Sequence, residues 1–369
     1  MNPQAAWATA RRILCVRLDN MGDVLMTTPA IRALKSSGGA DRRITLLASR
    51  SGAALAPFLP EVDEVVSYDA PWVKNPTDDP AADLGMIETL RGQAFDAAVI
   101  FTVHTQSALP AALMCRLAGI GLALAHAREN PYRLLSHWVR EPETAHALRH
   151  EVQRQLDLVA TVGAECRDGA RLSFATREAD RRSLGAILAA HGMARSEGWI
   201  VAHCGASAPS RRYGPARYAS VISRLAACGL PIVLTGSPDE IPLVRGILAQ
   251  CTARGHVLDL AGKLGLGELA CLIEDAGLLI SNNTGPVHIA AAVQTPVVDL
   301  YALTNLQHTP WRVPHRLLYH DVPCRNCYRS VCPQGTNACL EGVEPEAVVA
   351  AALELIGRRA GDGRGSMVA

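Results

Sequence analysis

Gly277 to Val298 reads GLLISNNTGPVHIAAAVQTPVV, the grammar of a strand, a turn and a helix. Leu278–Ile280 is a short apolar run of the kind that forms a buried strand. Ser281–Gly285 is polar and turn-forming. Pro286 suits a first helical turn, where its missing N–H leaves no bond unmade. Val287–Val293 is a helix of small residues that can pack closely on a sheet, and Pro296–Tyr301 is the next strand. Unpaired N–H groups and the dipole at such a helix start favour an anion, and His288 in the first turn can add a donor. An ordinary strand-loop-helix connection has the same pattern, so the segment alone leaves the ligand open.

Outward from this stretch the same alternation recurs. Strands are expected at Ile13–Leu18, Ile44–Ala48, Glu64–Tyr68, Ala97–Phe101 and Gly121–Ala125. Helices fall near Val24–Lys35, Asp83–Arg91 and Ser107–Ala118, and His150–Val162 leads out of this half. After a linker at Gly163–Gly169 the pattern restarts. Its strands lie near Trp199–His203, Ile232–Thr235, Val257–Leu260, Leu278–Ile280 and Val297–Tyr301. Helices near Arg177–His191, Pro215–Cys228, Pro238–Gln250 and Leu266–Asp275 alternate with them, and Pro345–Arg358 is the last. Alternation of this kind predicts parallel sheets covered on both faces. Ala70–Pro80, rich in proline, reads as a loop.

A chain of 369 residues exceeds what one hydrophobic core usually serves, so two domains are the default. With 49% hydrophobic and 19% charged residues the composition is that of a folded globular protein. A formal net charge of +1 gives no argument for a nucleic-acid partner. Met1–Arg12 lacks the apolar core of a signal peptide. One long uncharged stretch, Ala97–Cys115, contains polar residues and a proline and reads as strand plus helix, not as a membrane span. The expectation is a cytoplasmic protein, with peripheral contact to the inner membrane left open.

Ile13 to Arg32 reads ILCVRLDNMGDVLMTTPAIR, a strand followed by Gly22-Asp23 and, further on, Pro29-Ala30. Together with SNNTGPVHIAAAVQTPVV this resembles the lipopolysaccharide heptosyltransferases, inverting glycosyltransferases of the GT-B fold that use ADP-heptose. The resemblance implies an α/β chain of two doubly wound, Rossmann-like domains facing across a cleft. Residues 1–165 would bind the acceptor. Residues 166–358, including a cysteine cluster at 324–339, would bind the nucleotide-sugar donor, and 359–369 would be a disordered tail.

On the residues alone, Gly22 would let the chain turn and Asp23 would cap the helix that follows. The resemblance adds a sharper role for Asp23: general base toward the acceptor hydroxyl. One glycine at this turn argues against a dinucleotide fingerprint. His203–Tyr213, HCGASAPSRRY, offers Ser207 and backbone donors to phosphate, and Arg211 or Arg212 can neutralise a diphosphate leaving group. Arg211 stands where the family usually has lysine, a forked cation in place of a point charge. At Thr235–Glu240 the resemblance implies a carboxylate, Glu240, on the ribose hydroxyls; helix-start charge is the plainer reading. Leu264 would lie against adenine. Thr284, Gly285 and His288 would contact the diphosphate. Asn283 departs from the family, which often has Asp there; an amide can still accept, but it carries no charge.

Cys324, Cys327, Cys332 and Cys339 cluster within sixteen residues of the chain, the first pair at metal-ligand spacing. Four thiolates suit a closed, structural zinc or iron site, with disulfides or reduced loop thiols as alternatives. Some relatives carry an iron-binding cysteine element of this sort. No cofactor is expected for catalysis itself. The partners implied are ADP-heptose and a hydroxyl acceptor: lipopolysaccharide core, a protein or a small glycoside. A sugar-nucleotide epimerase or hydrolase would leave Asp23 without a clear task, and so would a non-catalytic nucleotide-sugar binder.

Overall fold

The computed structural model describes residues 3–73, 79–141, 149–193 and 198–361. The chain divides into two compact units, Met1–Ala175 and Thr176–Ala369. Ala175 N–H donates to the Phe58 carbonyl at 2.8 Å, and Phe174 stacks on Phe58 with ring centroids 4.5 Å apart. These contacts hold the segment after Gly169 in the first unit, so the boundary lies beyond the expected 165/166.

The first unit runs α1 (Pro3–Thr9), β1 (Arg12–Arg17), α2 (Met21–Ser36), β2 (Arg43–Ala48), α3 (Arg50–Ala53), β3 (Glu64–Ser67), α4 (Pro80–Gly92), β4 (Ala97–Ile100), α5 (Leu109–Leu117), β5 (Leu122–Ala127), β6 (His137–Arg140) and α6 (Glu151–Ala160). Its six strands are all parallel in the order β3-β2-β1-β4-β5-β6. Central strands such as ILCV and AAVI are apolar on both faces because helices cover both, as a parallel sheet requires. Pro29 inside α2 removes the N–H that would bond Leu25 O; the Thr28 hydroxyl donates to that carbonyl at 2.7 Å instead.

The second unit runs α7 (Glu178–Ala190), β7 (Ile200–His203), α8 (Pro215–Ala227), β8 (Ile232–Thr235), α9 (Ile241–Gln250), β9 (Val257–Asp259), α10 (Leu266–Asp275), β10 (Leu278–Asn282), α11 (Gly285–Val293), β11 (Val297–Leu300), β12 (His315–Leu318), α12 (Ala338–Glu341) and α13 (Pro345–Gly361). Its parallel sheet has the order β9-β8-β7-β10-β11-β12, the same winding as the first. In each unit the order reverses at one point: between β1 and β4, and between β7 and β10. Ligands of doubly wound sheets bind at such switch points, at the carboxyl ends of the strands.

The ten expected strands are all present. Two strands were not expected, β6 and β12, one edge strand of each sheet, whose partly exposed residues do not form an apolar run. Gly22 is not a turn residue: α2 begins at Met21, so Gly22 and Asp23 both lie in its first turn. Of the expected loop at Ala70–Pro80, residues 74–78 lie outside the described residues, and Asp79 and Pro80 begin α4, with Asp79 accepting from the Ala81 and Ala82 N–H groups. Of the expected tail, 359–361 belong to α13 and 362–369 lie outside the described residues. No helix among the described residues is long and apolar enough to cross a membrane.

Candidate functional site

In the first unit, Asp23 stands at the switch point on the first turn of α2. One carboxylate oxygen accepts from Asn20 N–H at 3.1 Å, so the capping role is present, at the third helical position and not as N-cap. The other oxygen lies 3.4 Å from Nη2 of Arg17, and the Asp23 side chain keeps 12% exposure. A carboxylate anchored on both oxygens yet reachable from solvent is a suitable base.

Arg17 is the residue the sequence reading passed over. It ends β1 fully buried and faces Asp19 at 3.1 Å, Asp23 at 3.4 Å and Glu151 at 3.1 Å. Glu151 starts α6 and also accepts from Gln155. Arg154, one turn on, pairs with Glu141 at 2.6 Å. Burial pushes the Asp19 carboxyl up to about 6; the Asp23 charge adds to this, while Arg17 and the hydrogen bond from Gln106 oppose it. Arg17 thus offsets a cluster of carboxylates that could not otherwise stay ionised together. The available signal was a lone arginine at the end of an apolar strand, RILCVR; its partner Glu151 lies far along the chain.

In the second unit, the loop after β7 and the turn after β10 flank the other switch point. Asn282 ties them together: its Nδ2 donates to Cys204 O at 2.9 Å and Gly205 O at 3.1 Å, and its Oδ1 accepts from Tyr213 N–H at 3.0 Å. The sequence reading singled out Asn283 and missed this neighbour. Thr284 is the N-cap of α11, and its buried hydroxyl has no hydrogen-bond partner. Gly285 and Pro286 open the helix, and His288 is buried in its first turn. Arg211 ends a short 3-10 turn, Pro209–Arg211, half-buried. Arg212 is exposed and donates from Nε to Ala206 O at 2.7 Å, closing its own loop, so Arg211 is the better placed cation. Ser207 is exposed on the same loop.

Glu240 follows β8. Its Oε2 accepts from Ser237 N–H at 2.8 Å in a capping box and lies 3.8 Å from His203 Nε2. A Cβ on Gly205 would come within 1.9 Å of the Glu240 carboxylate, so a side chain there would displace Glu240 from its present position. Burial lowers the His203 pKa and so favours the neutral ring, against the Glu240 charge, which raises it. Leu264 lies half-buried after β9, beyond Gly262 at φ +70°. The helix-start reading of Glu240 is thus the one the capping box carries.

The cysteines Cys324, Cys327, Cys332 and Cys339 line one cavity of about 30 Å³ together with Ser210. Burial pushes the Cys332 thiol up, but N–H groups of Asn337, Gln334, Thr336 and Gly335 directed at its sulfur outweigh that and bring it below its ordinary value. Cys339 is raised by burial and further by the three neighbouring thiols. The sulfurs match a thiolate site in kind and number. Among the described residues, however, no group of three or more His, Cys, Asp or Glu side chains is drawn close enough to hold an ion. The cysteine loop also braces Arg211's turn: Ser210 N–H donates to Ser330 O at 3.0 Å, Ser210 Oγ to Arg329 O at 2.7 Å, and Asn337 Nδ2 to Pro209 O at 3.2 Å.

Comparison with known proteins supports the family resemblance. The family model for glycosyltransferase family 9 (heptosyltransferase) matches residues 84–337. Lipopolysaccharide heptosyltransferase 3 of Escherichia coli is 26% identical over 302 residues, covering 79% of this chain and 83% of its own. The crystal structure of a family 9 glycosyl transferase from Veillonella parvula superposes with a TM-score of 0.81 at 19% identity, covering 95% of this chain and 98% of that one. The iron-containing dodecameric heptosyltransferase TibC, solved in complex with ADP-D-beta-D-heptose, gives a TM-score of 0.57 at 14% identity over 95% of this chain and 77% of its own. With two parallel six-stranded sheets and a family match across most of its length, the chain is an α/β glycosyltransferase and belongs to family 9, the heptosyltransferases.

Proposed function

We propose that this protein moves a heptose from ADP-heptose to a hydroxyl of the lipopolysaccharide core, with inversion at the anomeric carbon and release of ADP. The family match carries the transfer of heptose. The geometry supports how it is done. Asp23 takes the proton of the attacking hydroxyl; anchored by Arg17 and by Asn20 N–H, its carboxylate does not have to reorganise during the reaction. The first unit then serves as the acceptor side and the second as the donor side.

On the donor side, the α11 N-terminus with Thr284, Gly285 and His288 receives the diphosphate, and Arg211 offsets the charge that grows on it as the glycosidic bond breaks. Glu240 accepts from the ribose and Leu264 packs on the base. Asn283 meets the sugar. The four cysteines would hold one structural metal ion; bound there, it would fix the loop behind Arg211 and take no part in the chemistry. We place the enzyme in the cytoplasm, in peripheral contact with the inner membrane where its acceptor resides.

The test is Asp23→Asn. Calorimetric binding of ADP-heptose should stay within about threefold of wild type while turnover falls on the order of 10²–10⁴-fold, the usual worth of a general base. Turnover within a few-fold of wild type would remove Asp23 from the role.

A further inference from the structure

Asp299 is a carboxylate inside a sheet. It sits in the run Val297-Val-Asp-Leu300 on β11, in register with Ser281 of β10, and it is fully buried. An ionised group in such a place costs stability unless it has partners. Its Oδ2 accepts from Asn283 Nδ2 at 3.0 Å, and its Oδ1 has no hydrogen-bond partner. Burial pushes the carboxyl up to about 7, against the Asn283 hydrogen bond and the charge of Arg211. An apolar residue would suit the strand better, so the carboxylate calls for a reason outside folding.

Asn283 supplies one. Its Nδ2 makes a second bond, to His308 O, also at 3.0 Å. A primary amide has two N–H donors, and both are now used. Flipping the amide would set its carbonyl oxygen against two acceptors, so its orientation is locked. What Asn283 has left to offer a ligand is Oδ1, an acceptor. The next residue along the turn, Thr284, also has a buried hydroxyl without a partner. Unused buried oxygens at a turn are expected where a ligand completes the network.

We propose that Asp299 is a positioning residue that holds Asn283 as a hydrogen-bond acceptor for a hydroxyl of the donor sugar. The neutral amide then does the recognition that a carboxylate at 283 would do, and the charge sits one strand away, behind it. This rests on the ADP-heptose reading above. It separates two parts of the donor: sugar selectivity depends on Asp299, whereas affinity for the ADP part does not.

The experiment compares ADP-heptose turnover with ADP binding in wild type, Asp299→Val and Asp299→Asn. Valine fits the strand and removes the acceptor. Asp299→Val should raise KM for ADP-heptose at least about tenfold, leave the ADP Kd within twofold, and leave Tm unchanged or higher. Asp299→Asn keeps an acceptor for Asn283 and should recover most of the lost affinity. A KM within twofold of wild type in Asp299→Val overturns the assignment. So does an ADP Kd that rises in step with KM, which would make Asp299 a partner of the diphosphate site or of folding. If Asp299→Val does not fold, Asn283→Ala decides in the same way: loss confined to ADP-heptose supports the assignment, and loss of ADP binding or no loss overturns it. The wild-type KM, measured first, tests the functional reading by itself; a wild type without turnover overturns both.

Discussion

Replacing Arg17 by methionine tests whether the buried cation holds together the carboxylates around Asp23, the proposed base. The side chain is wholly buried and lies within 3.4 Å of Asp19, Asp23 and Glu151. Methionine keeps the bulk and removes the charge, leaving Asp19 and Asp23 without this cation and Glu151 with Arg154 alone, 3.4 Å away. Breaking a buried pair from one side costs about 3–5 kcal/mol. The protein can reduce this by binding a proton, and Asp19, already pushed up to about 6, is the cheapest acceptor. Protonating it costs a few kcal/mol at most at pH 8, on the order of one per pH unit above its pKa, and almost nothing at pH 5.5. The sign follows: Asp19, whose folded pKa is raised above the unfolded value and loses the opposing Arg17 charge in the variant, makes stability relative to wild type worst at high pH, with recovery as pH falls. Equilibrium urea unfolding of both proteins at pH 8 and pH 5.5 measures it. The expected deficit is about 3–5 kcal/mol at pH 8 and clearly smaller at pH 5.5. A deficit below about 1 kcal/mol, or one independent of pH, would refute the reasoning, since a surface pair costs that little.

Three further outcomes are expected. Arg211→Ala should weaken donor binding and slow transfer together, by about 10² in kcat/KM, because the cation acts in ground and transition states alike; an effect confined to acceptor KM would misplace it. Purified protein should carry about one metal ion per chain by elemental analysis, and Cys327→Ser should abolish it and lower Tm. Because the cysteine loop braces Ser210 and Pro209 beside Arg211, that variant should also raise donor KM while still folded; a donor KM unchanged after metal loss would dissociate the two. Burial pushes Glu141 up, but the hydrogen bond and charge of Arg154 outweigh that and hold it at about 2. Depressed below its ordinary value, it contributes stability above about pH 4.5 that is lost as pH falls toward 2, roughly 3 kcal/mol. Glu141→Gln should flatten acid unfolding in that window, and an unaltered acid limb would show that the pair carries none of it.

The inner strands of both sheets were legible because parallel strands buried on both faces spell continuous apolar runs. Two of the four edge strands were not: HWVR and HRLL mix charged and apolar residues at partly exposed positions. Both switch points were legible from local chemistry, Gly-Asp at the helix start after one strand and Asn-Thr-Gly-Pro after another. What local reading could not supply were partners distant in the chain. Arg17 meets Glu151, and Asn282 meets Cys204 and Tyr213, only after folding. Asp299 was visible as one acidic residue in an apolar strand, but its meaning depends on which amide it faces. Gly22 was misread because a glycine beside a capping residue resembles a turn, whereas here it lies in the helix itself.

The central claim is heptosyl transfer, and acceptor-dependent ADP release from ADP-heptose tests it most directly. Purified protein with ADP-heptose and a lipopolysaccharide inner-core acceptor should release ADP and yield an acceptor heavier by one heptose with inverted anomeric configuration. With acceptor omitted, release should fall to background. ADP release at the same rate without acceptor, or a glycosylated product formed only from a different nucleotide sugar, would contradict the account.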